Sequence, residues 1–425
     1  MSRATDTVPA VTGDAARIRV DGPRLWSRLM DMSAIGATAH GGCNRQALTD
    51  LDIEGRRLLS QWGRAAGCSV RVDAIGNLFI RRTGRDDTLP VVLAGSHLDT
   101  QPTGGRYDGV YGVLAGLEVI EALNDQELIT EHPLEVAVWC NEEGCRFPFA
   151  MMGSAVWASR LPLAEAHALK DRNGISVLAE LARAGIETRV PVHRQAVKAA
   201  LEVHIEQGPV LEQRAKTIGV VTGVQHMCRY EALIEGQEVH AGPTPMHQRR
   251  DPVRALAGIL PLLYQAATRH GPDARLTIGI IETQPGSANT VVGRLRFTID
   301  LRHPDAEQYR SLCMEAERIV ADGLAAESLT GRAHRVWEAP GVRFDPSCVG
   351  AIRTAVAALG YPAIELVSGV GHDSCNTSYV APTAMIFVPC AGGLSHNEAE
   401  SASPADLEAG ANVLLQAMVA LARRD

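Results

Sequence analysis

The sequence predicts an α/β protein with a mostly parallel sheet, into which a smaller α+β module is inserted. Two nearly continuous apolar runs, residues 90–95 and 134–139, are typical of strands that are buried on both faces. Residues 110–123 show helical spacing between these runs, so the three segments predict a βαβ unit and hence a parallel sheet. Ligands collect at the carboxyl ends of parallel strands, and His97 and Glu142 closely follow the two runs.

The segments that precede the first apolar run predict further elements. Residues 1–16 are polar and are expected to form a loose tail, whereas residues 23–65 carry helical patterning. Residues 69–73 and 77–82 are typical of two strands joined by a short turn. Further strands are expected at 220–223, 229–235, 276–281, 294–301 and 383–388, and helices at 251–265, 306–322, 348–359 and 404–423.

The stretch 218–333 has a different organisation from the rest of the chain. Its strands and helices alternate in an order that resembles a ferredoxin-like sandwich. Candidate metal ligands occur both before and after this stretch, which indicates that it is inserted into another domain. We therefore expect one domain built from residues 1–217 and 334–425, and an inserted domain built from residues 218–333.

The bulk composition restricts the class of protein. A chain of 425 residues is longer than one ordinary core supports, and 46% hydrophobic with 21% charged residues is typical of globular proteins. The net charge of −8 argues against a nucleic-acid partner. The nine cysteines form no C-x-x-C pair, which favours a reduced, cytoplasmic setting. The polar start of the sequence predicts no signal peptide, and no apolar stretch reaches about 18 residues, so no membrane span is expected.

Three histidines and three carboxylates lie in strand-end or glycine-rich settings. These candidates are His97, Asp108, Glu142, Glu143, His204 and His396. Such residue types suit two divalent ions, which together can activate water and polarise a carbonyl, so the pattern predicts hydrolysis. Asp99 stands two residues after His97 and is a candidate to hydrogen-bond the second ring nitrogen of that histidine. A His-x-Asp pair alone is also common at protein surfaces.

Each of the other candidates has a simpler structural role when it is considered alone. Asp108 among glycines is typical of a turn or a helix N-cap. The pair Glu142–Glu143 is typical of a solvated acidic loop, and single histidines such as His204 and His396 are more often structural than ligating. Only their combination in one chain favours a metal site.

The inserted module carries candidates of its own, His240, Asn289 and Arg302. An arginine at a strand end can hold a carboxylate through two hydrogen bonds, and a histidine or asparagine can donate to a developing oxyanion. The simpler interpretation of Arg302 is an ion pair with Asp300 or Asp305.

Taken together, several stretches resemble the amidases of the hydantoinase/carbamoylase family. They are GSHLDTQPTGGRYDGVYGVLAGLEVI, NEEGCRF, EVHIEQGPVLE, HAGPTPM and GLSHNEAE. This family includes N-carbamoyl-L-amino-acid hydrolases, β-ureidopropionases and allantoate amidohydrolases, and it is related to metal-dependent aminoacylases and carboxypeptidases. The similarity extends over essentially the whole chain from about residue 20, and DTQPTGGRYDG makes it closest to the N-carbamoyl-L-amino-acid hydrolases.

The resemblance implies a role for each matching position. Two divalent ions, zinc or manganese with cobalt or nickel as alternatives, would be held by His97, Asp108, Glu143, His204 and His396, with Asp108 shared. Glu142 would be the general base, and Asp99 would orient His97. The implied substrate contacts are Gln207 on the carbamoyl group, Arg302 on the α-carboxylate, and His240, Asn289, Gly371 and His372.

The implied reaction is hydrolysis of N-carbamoyl-L-amino acids to an L-amino acid, ammonia and CO2. The family also implies a homodimer whose inserted domain acts as a lid over this small-molecule ureido acid. Allantoate or a related ureido acid is the alternative substrate, and Gln207 argues against a peptidase or aminoacylase. A binding protein without activity would lack a ligand or the base, and all are present. Cys145 and Ser374 stand where serine and alanine are usual, which affects no group with an implied role.

Overall fold

The computed structural model describes residues 18–423, so the expected tail at 1–16 lies outside the described residues. The chain divides into two compact units. The first ends at Gly223 and resumes at Arg343, and the second is Val224–Val342. Within the described part of the chain, no helix combines the length and the apolar character that a membrane crossing requires.

The strands define where the buried layers of each unit lie. Between residues 18 and 423 they are β1 (Ser69–Val72), β2 (Leu78–Arg82), β3 (Val91–His97), β4 (Leu134–Trp139), β5 (Val197–Ile205), β6 (Ile218–Val224), β7 (His226–Glu235), β8 (Arg275–Thr277), β9 (Ile281–Gln284), β10 (Arg294–His303), β11 (Thr330–Ala339), β12 (Val342–Arg343), β13 (Ala363–Ser368) and β14 (Thr383–Val388).

Several helices begin at capping residues that the sequence makes recognisable. The helices are α1 (Gly22–Ala34), α2 (Asp50–Ala65), α3 (Val110–Asp125), α4 (Met152–Trp157), α5 (Leu163–Ala168), α6 (Val177–Arg183), α7 (Val210–Gln213), α8 (Pro252–Arg269), α9 (Ala306–Ala326), α10 (Pro346–Leu359), α11 (Asp373–Thr377) and α12 (Pro404–Leu421). The expected N-cap Ser403 is confirmed, because its side chain accepts a hydrogen bond from the Asp406 amide at the start of α12.

The larger sheet belongs to the first unit and has the order β1-β2-β4-β3-β5-β14-β6-β12, with β13 paired to β6. Its central strands β4, β3, β5 and β14 are parallel to one another, whereas β1, β2 and β6 pair antiparallel. β3, β4 and β14 are buried at every residue, as strands covered on both faces must be. The prediction of a mostly parallel sheet is confirmed.

The smaller sheet belongs to the second unit and is antiparallel. Its order is β11-β7-β10-β8, and β9 pairs with β10 beside β8. In chain order the unit is β-α-β-β-α-β, the order of a ferredoxin-like sandwich, with β8 and β9 together taking the place of the second strand. Its last strand, β11, was not predicted from the sequence. One hydrophobic cluster joins α8, α9 and the sheet, and it includes Ile259, Phe297 and Leu312.

The two expected domain boundaries each lie at or inside a strand, and the two strands belong to different sheets. β6 follows the expected boundary at 217/218, yet it pairs with β14 in the larger sheet. The expected boundary at 333/334 falls inside β11, which pairs with β7 along its length in the smaller sheet. Apolar periodicity identifies a strand but does not specify which sheet it joins.

The packing of α3 on the larger sheet leaves no space for a side chain at Gly112. A Cβ atom at this position would lie 2.5 Å from the Val203 carbonyl oxygen of β5 and 2.8 Å from the Ser96 Cβ of β3. We therefore expect Gly112→Ala to lower the free energy of unfolding by about 1–3 kcal/mol, as overpacked cores do. Urea denaturation measures this change.

The matched control is a helical glycine in open space. Nothing lies within 4 Å of a Cβ atom at Gly258 in α8. Gly258→Ala is expected to raise the free energy of unfolding by about 0.5–1 kcal/mol, because alanine is the better helix former. An equal gain in Gly112→Ala would contradict the close contact of α3 with β5.

Candidate metal centre

The carboxyl ends of the parallel strands bring the candidate ligands to one edge of the larger sheet. His97 is the last residue of β3, and His204 is the penultimate residue of β5. Glu142 and Glu143 lie shortly after the end of β4. The candidates from loops, Asp108 before α3 and His396 between β14 and α12, meet them there. The topology of the sheet therefore assembles side chains that are far apart in the sequence.

One group of ligand atoms consists of His97, Asp108 and His204. One atom from each residue lies within 4.8 Å of the others, and all three residues are buried. The Asp108 Oδ1 atom is 3.2 Å from His204 Nε2 and 3.8 Å from His97 Nε2. This set offers two imidazole nitrogens and one carboxylate oxygen to a common point.

A second group consists of Asp108, Glu143 and His396. The His396 Nε2 atom is 3.2 Å from Asp108 Oδ2 and 3.3 Å from Glu143 Oε2. Asp108 thus presents Oδ1 to one group and Oδ2 to the other. A carboxylate in this position can be shared by two cations.

The hydrogen bonds of the buried histidines orient their ring nitrogens. His97 Nδ1 donates to the Asp99 carbonyl oxygen at 2.8 Å, and His204 Nδ1 donates to the Ile205 carbonyl oxygen at 2.9 Å. The Gly109 amide donates to His204 Nε2 at 3.2 Å, which requires a lone pair on that nitrogen. Both Nε2 atoms therefore face Asp108 as potential ligands, with the other nitrogen bound as in many metal sites.

The hydrogen bonds of Asp99 differ from those that were predicted. Its main-chain oxygen, rather than its carboxylate, binds His97. The carboxylate accepts hydrogen bonds from the Glu142 and Glu143 amides, both at 3.2 Å. The prediction assumed that the strand continues to Asp99, so that the side chains of His97 and Asp99 would point to the same face. Because β3 ends at His97, the alternation of side chains does not reach Asp99.

Carboxylates are crowded around the two groups. The Glu142 Oε2 atom lies 3.5 Å from His97 Nε2. Burial, followed by repulsion from Asp373 and Glu143, raises the pKa of Glu142 well above its usual range. Burial and the charge of Asp108 raise the pKa of Glu143 to about 8. Buried like charges are unfavourable without a cation between them, so the nitrogen and oxygen donors present here fit divalent ions.

Gln207 also meets the shared carboxylate. Its Nε2 atom donates to Asp108 Oδ2 at 3.0 Å and to Ser395 Oγ at 3.1 Å. The structure therefore places Gln207 beside the candidate centre, and its contact with a carbamoyl group stays a prediction.

Three residues at the centre adopt left-handed backbone conformations although they are not glycine. They are Asn141, Gln207 and His396, with φ of 56°, 55° and 54°. Each such residue costs about 1–3 kcal/mol and persists only where the surroundings enforce it. Asn141 directly precedes Glu142, so the strained positions carry or adjoin groups of the candidate site.

His372 lies directly against one of the candidate ligands. Its ring centroid is 4.7 Å from that of His204, and its Nε2 atom is 3.1 Å from Ser368 Oγ. Burial, followed by the charge of His204, lowers the pKa of His372 well below its usual range. Gly371, the other residue predicted for this pocket, directly precedes it in the chain.

Glu202 was not predicted as a site residue, although it lies in the stretch EVHIEQGPVLE. Its carboxylate is close to His204 and His372 and forms a third group with them. It accepts hydrogen bonds from the Ser96 hydroxyl and from the amide and hydroxyl of Ser374. These bonds stabilise the buried carboxylate of Glu202, and they give the unusual Ser374 a structural partner.

The remaining candidates belong to the second unit. A β-bridge pairs His240 with Thr290, the neighbour of Asn289, so the structure brings His240 and Asn289 into adjoining loops. Both residues are exposed. Arg302 lies on β10, and its Nε atom donates to Asp300 Oδ1 at 2.7 Å. This is the ion pair of the simpler interpretation.

Comparisons with known proteins identify the family of this chain. The model of Peptidase family M20/M25/M40 matches residues 93–420. An N-carbamoyl-L-amino-acid amidohydrolase of Rhizobium meliloti is 44% identical over 411 residues, which cover 96% of this chain and 98% of the relative. An allantoate amidohydrolase of Escherichia coli strain K12 is 34% identical over 397 residues, which cover 92% of this chain and 96% of the relative.

A solved structure is similar to this chain over nearly its whole length. The crystal structure of an amidase of the hydantoinase/carbamoylase family from Burkholderia multivorans has 48% sequence identity and a TM-score of 0.92. The match covers 96% of this chain and 99% of that chain. This protein therefore belongs to Peptidase family M20/M25/M40 and, within it, to the hydantoinase/carbamoylase amidases.

Proposed function

We propose that this protein hydrolyses the ureido C–N bond of N-carbamoyl-L-amino acids and releases an L-amino acid, ammonia and CO2. The observation that carries the proposal is the position of Asp108, whose two oxygens each face a separate group of ligand atoms. The name of the Rhizobium meliloti relative supports the choice of substrate. The greater distance of the allantoate amidohydrolase, at 34% identity, makes allantoate the weaker alternative.

Enzymes of this family depend on metals, and the donor set is suitable for two divalent ions. The proposed ions are zinc or manganese, with cobalt or nickel as alternatives, since all four suit nitrogen and oxygen donors. The proposed ligands are His97, Asp108, Glu143, His204 and His396. When bound, the two ions would activate the attacking water and polarise the ureido carbonyl.

Glu142 is the proposed general base. It lies beside His97, and its backbone is held by the Asp99 carboxylate. In the proposed reaction Glu142 takes a proton from the attacking water and later returns it to the leaving nitrogen. Its neighbour Glu143 faces His396 instead, so the two adjacent acids divide the roles of base and ligand.

The second unit is the proposed lid and dimerisation domain, corresponding to the predicted domain 218–333, and the protein is proposed to act as a cytoplasmic homodimer. Arg302 would hold the α-carboxylate of the substrate, and donors from the lid would stabilise the oxyanion. The proposed substrate contacts are Gln207, His240, Asn289, Arg302, Gly371 and His372.

The test is a direct comparison of substrates. The protein is stripped of metal, reloaded with zinc or manganese, and assayed for release of ammonia and amino acid from N-carbamoyl-L-amino acids and from allantoate. Turnover of the carbamoyl amino acids alone is the expected result. Turnover of allantoate alone would replace the proposed substrate with the alternative. Failure to turn over either substrate would contradict both.

A further inference from the structure

We propose that Glu400 is a positioning residue that holds the loop of Asp108 and the loop of His396 in the geometry needed to bind metal. The inference rests on the proposed function and extends it to a residue without an assigned role. Glu400 lies in the stretch GLSHNEAE, four residues after the candidate ligand His396.

Each oxygen of the Glu400 carboxylate binds a different loop. The Oε1 atom accepts hydrogen bonds from the Tyr107 amide at 2.9 Å and from the Asp108 amide at 3.1 Å. The Oε2 atom accepts a hydrogen bond from the Ser395 hydroxyl at 2.8 Å. Glu400 is only 5% exposed, so these bonds are shielded from water. One buried side chain therefore joins two loops that each supply a candidate ligand.

Ser395 extends this connection to the shared carboxylate itself. Its Oγ atom is 3.2 Å from Asp108 Oδ2, and Ser395 directly precedes His396. Gln207 donates to both Ser395 Oγ and Asp108 Oδ2. The backbone amide and the side chain of Asp108 are thus both held by a network that includes Glu400.

The glycine-rich loop leaves space for this carboxylate. A Cβ atom at Gly105 would lie 2.0 Å from Glu400 Oε1. Because no real Cβ atom approaches an oxygen so closely, any side chain at position 105 would displace Glu400. The close approach of Glu400 therefore requires glycine at this position.

The experiment compares two substitutions of Glu400 with a matched control. Glu400→Ala removes all three hydrogen bonds, whereas Glu400→Gln keeps an oxygen that accepts from two amides and adds a donor towards Ser395. Asp345 is the control, because its Oδ1 atom also accepts from two amides and one serine hydroxyl, at the start of α10. Each metal-stripped protein is titrated with Zn²⁺ in competition with a chelating dye, and its melting temperature is recorded.

We expect Glu400→Ala to weaken zinc affinity by about 10- to 100-fold, as loss of residues that support metal ligands does. Glu400→Gln is expected to stay close to the wild-type affinity. Asp345→Ala is expected to lower the melting temperature and leave zinc affinity unchanged. A loss in Glu400→Gln as large as in Glu400→Ala would overturn the inference, because the charge rather than the hydrogen bonds would then matter.

Further outcomes separate the inference from the proposed function. A wild-type protein that takes up no Zn²⁺ would contradict the proposed function itself. Normal zinc affinity in Glu400→Ala, with uptake by the wild type, would overturn only the role of Glu400. If Glu400→Ala does not fold, Ser395→Ala decides, since it removes the bond to Glu400 Oε2 together with the contacts of Ser395 with Asp108 Oδ2 and Gln207. Weaker zinc binding in Ser395→Ala supports the positioning role of the network that joins Glu400 to Asp108, and unchanged binding rejects it.

Discussion

Glu142→Gln is expected to lower kcat for N-carbamoyl-L-amino acids by about 10²- to 10⁴-fold, the usual contribution of a general base. The substitution keeps the size of the side chain and removes its capacity to take a proton from water. Metal binding should persist, because the five proposed ligands are unchanged. The measurement combines steady-state kinetics with the metal content of the same preparation.

The neighbouring residue provides the control for this prediction. Glu143 Oε2 lies 3.3 Å from His396 Nε2, within the second ligand group. Glu143→Gln is therefore expected to reduce metal content together with activity, whereas Glu142→Gln reduces activity alone. If Glu142→Gln retained wild-type turnover, the proton acceptor would have to be another group.

The parallel core could be predicted because its strands are unusually apolar. β3 and β4 are buried at every residue, and their runs of apolar side chains show this directly in the sequence. β5 was not predicted as a strand, although it carries His204. Its buried interior includes Glu202, whose carboxylate interrupts the apolar pattern and accepts hydrogen bonds from hydroxyl groups of other segments. A local pattern does not contain those partners.

The candidate ligands were predictable for a related reason. A histidine or carboxylate that directly follows a buried strand, or that lies among glycines, is placed where ligands collect. Its residue type then indicates that it can bind a metal ion. The supporting residues were not predictable in this way. Glu400 binds an amide 293 positions away in the sequence, and Asp99 uses its main chain and side chain for different partners. Such roles depend on the register of distant loops, which only the folded chain defines.

Asp108→Ala is expected to weaken metal binding at both sites, which is the second large effect. The wild-type protein should bind two ions. A free metal concentration of 100 times the Kd would stabilise the folded protein by about 2.7 kcal/mol per site. Because Asp108 contributes an oxygen to both ligand groups, its removal weakens both sites at once. Metal content after equilibrium dialysis and the metal-induced shift of melting temperature measure the effect.

His396→Ala tests whether the carboxylate is truly shared. His396 belongs to only one of the two groups that contain Asp108, and its side chain is 51% exposed, so its loss disturbs the fold little. It should therefore remove one ion and leave the group of His97 and His204 able to bind the other. If Asp108→Ala also retained one ion at wild-type affinity, Asp108 would serve a single site. The two ligand groups would then be independent, and cooperation of two ions on one water would lose its structural basis.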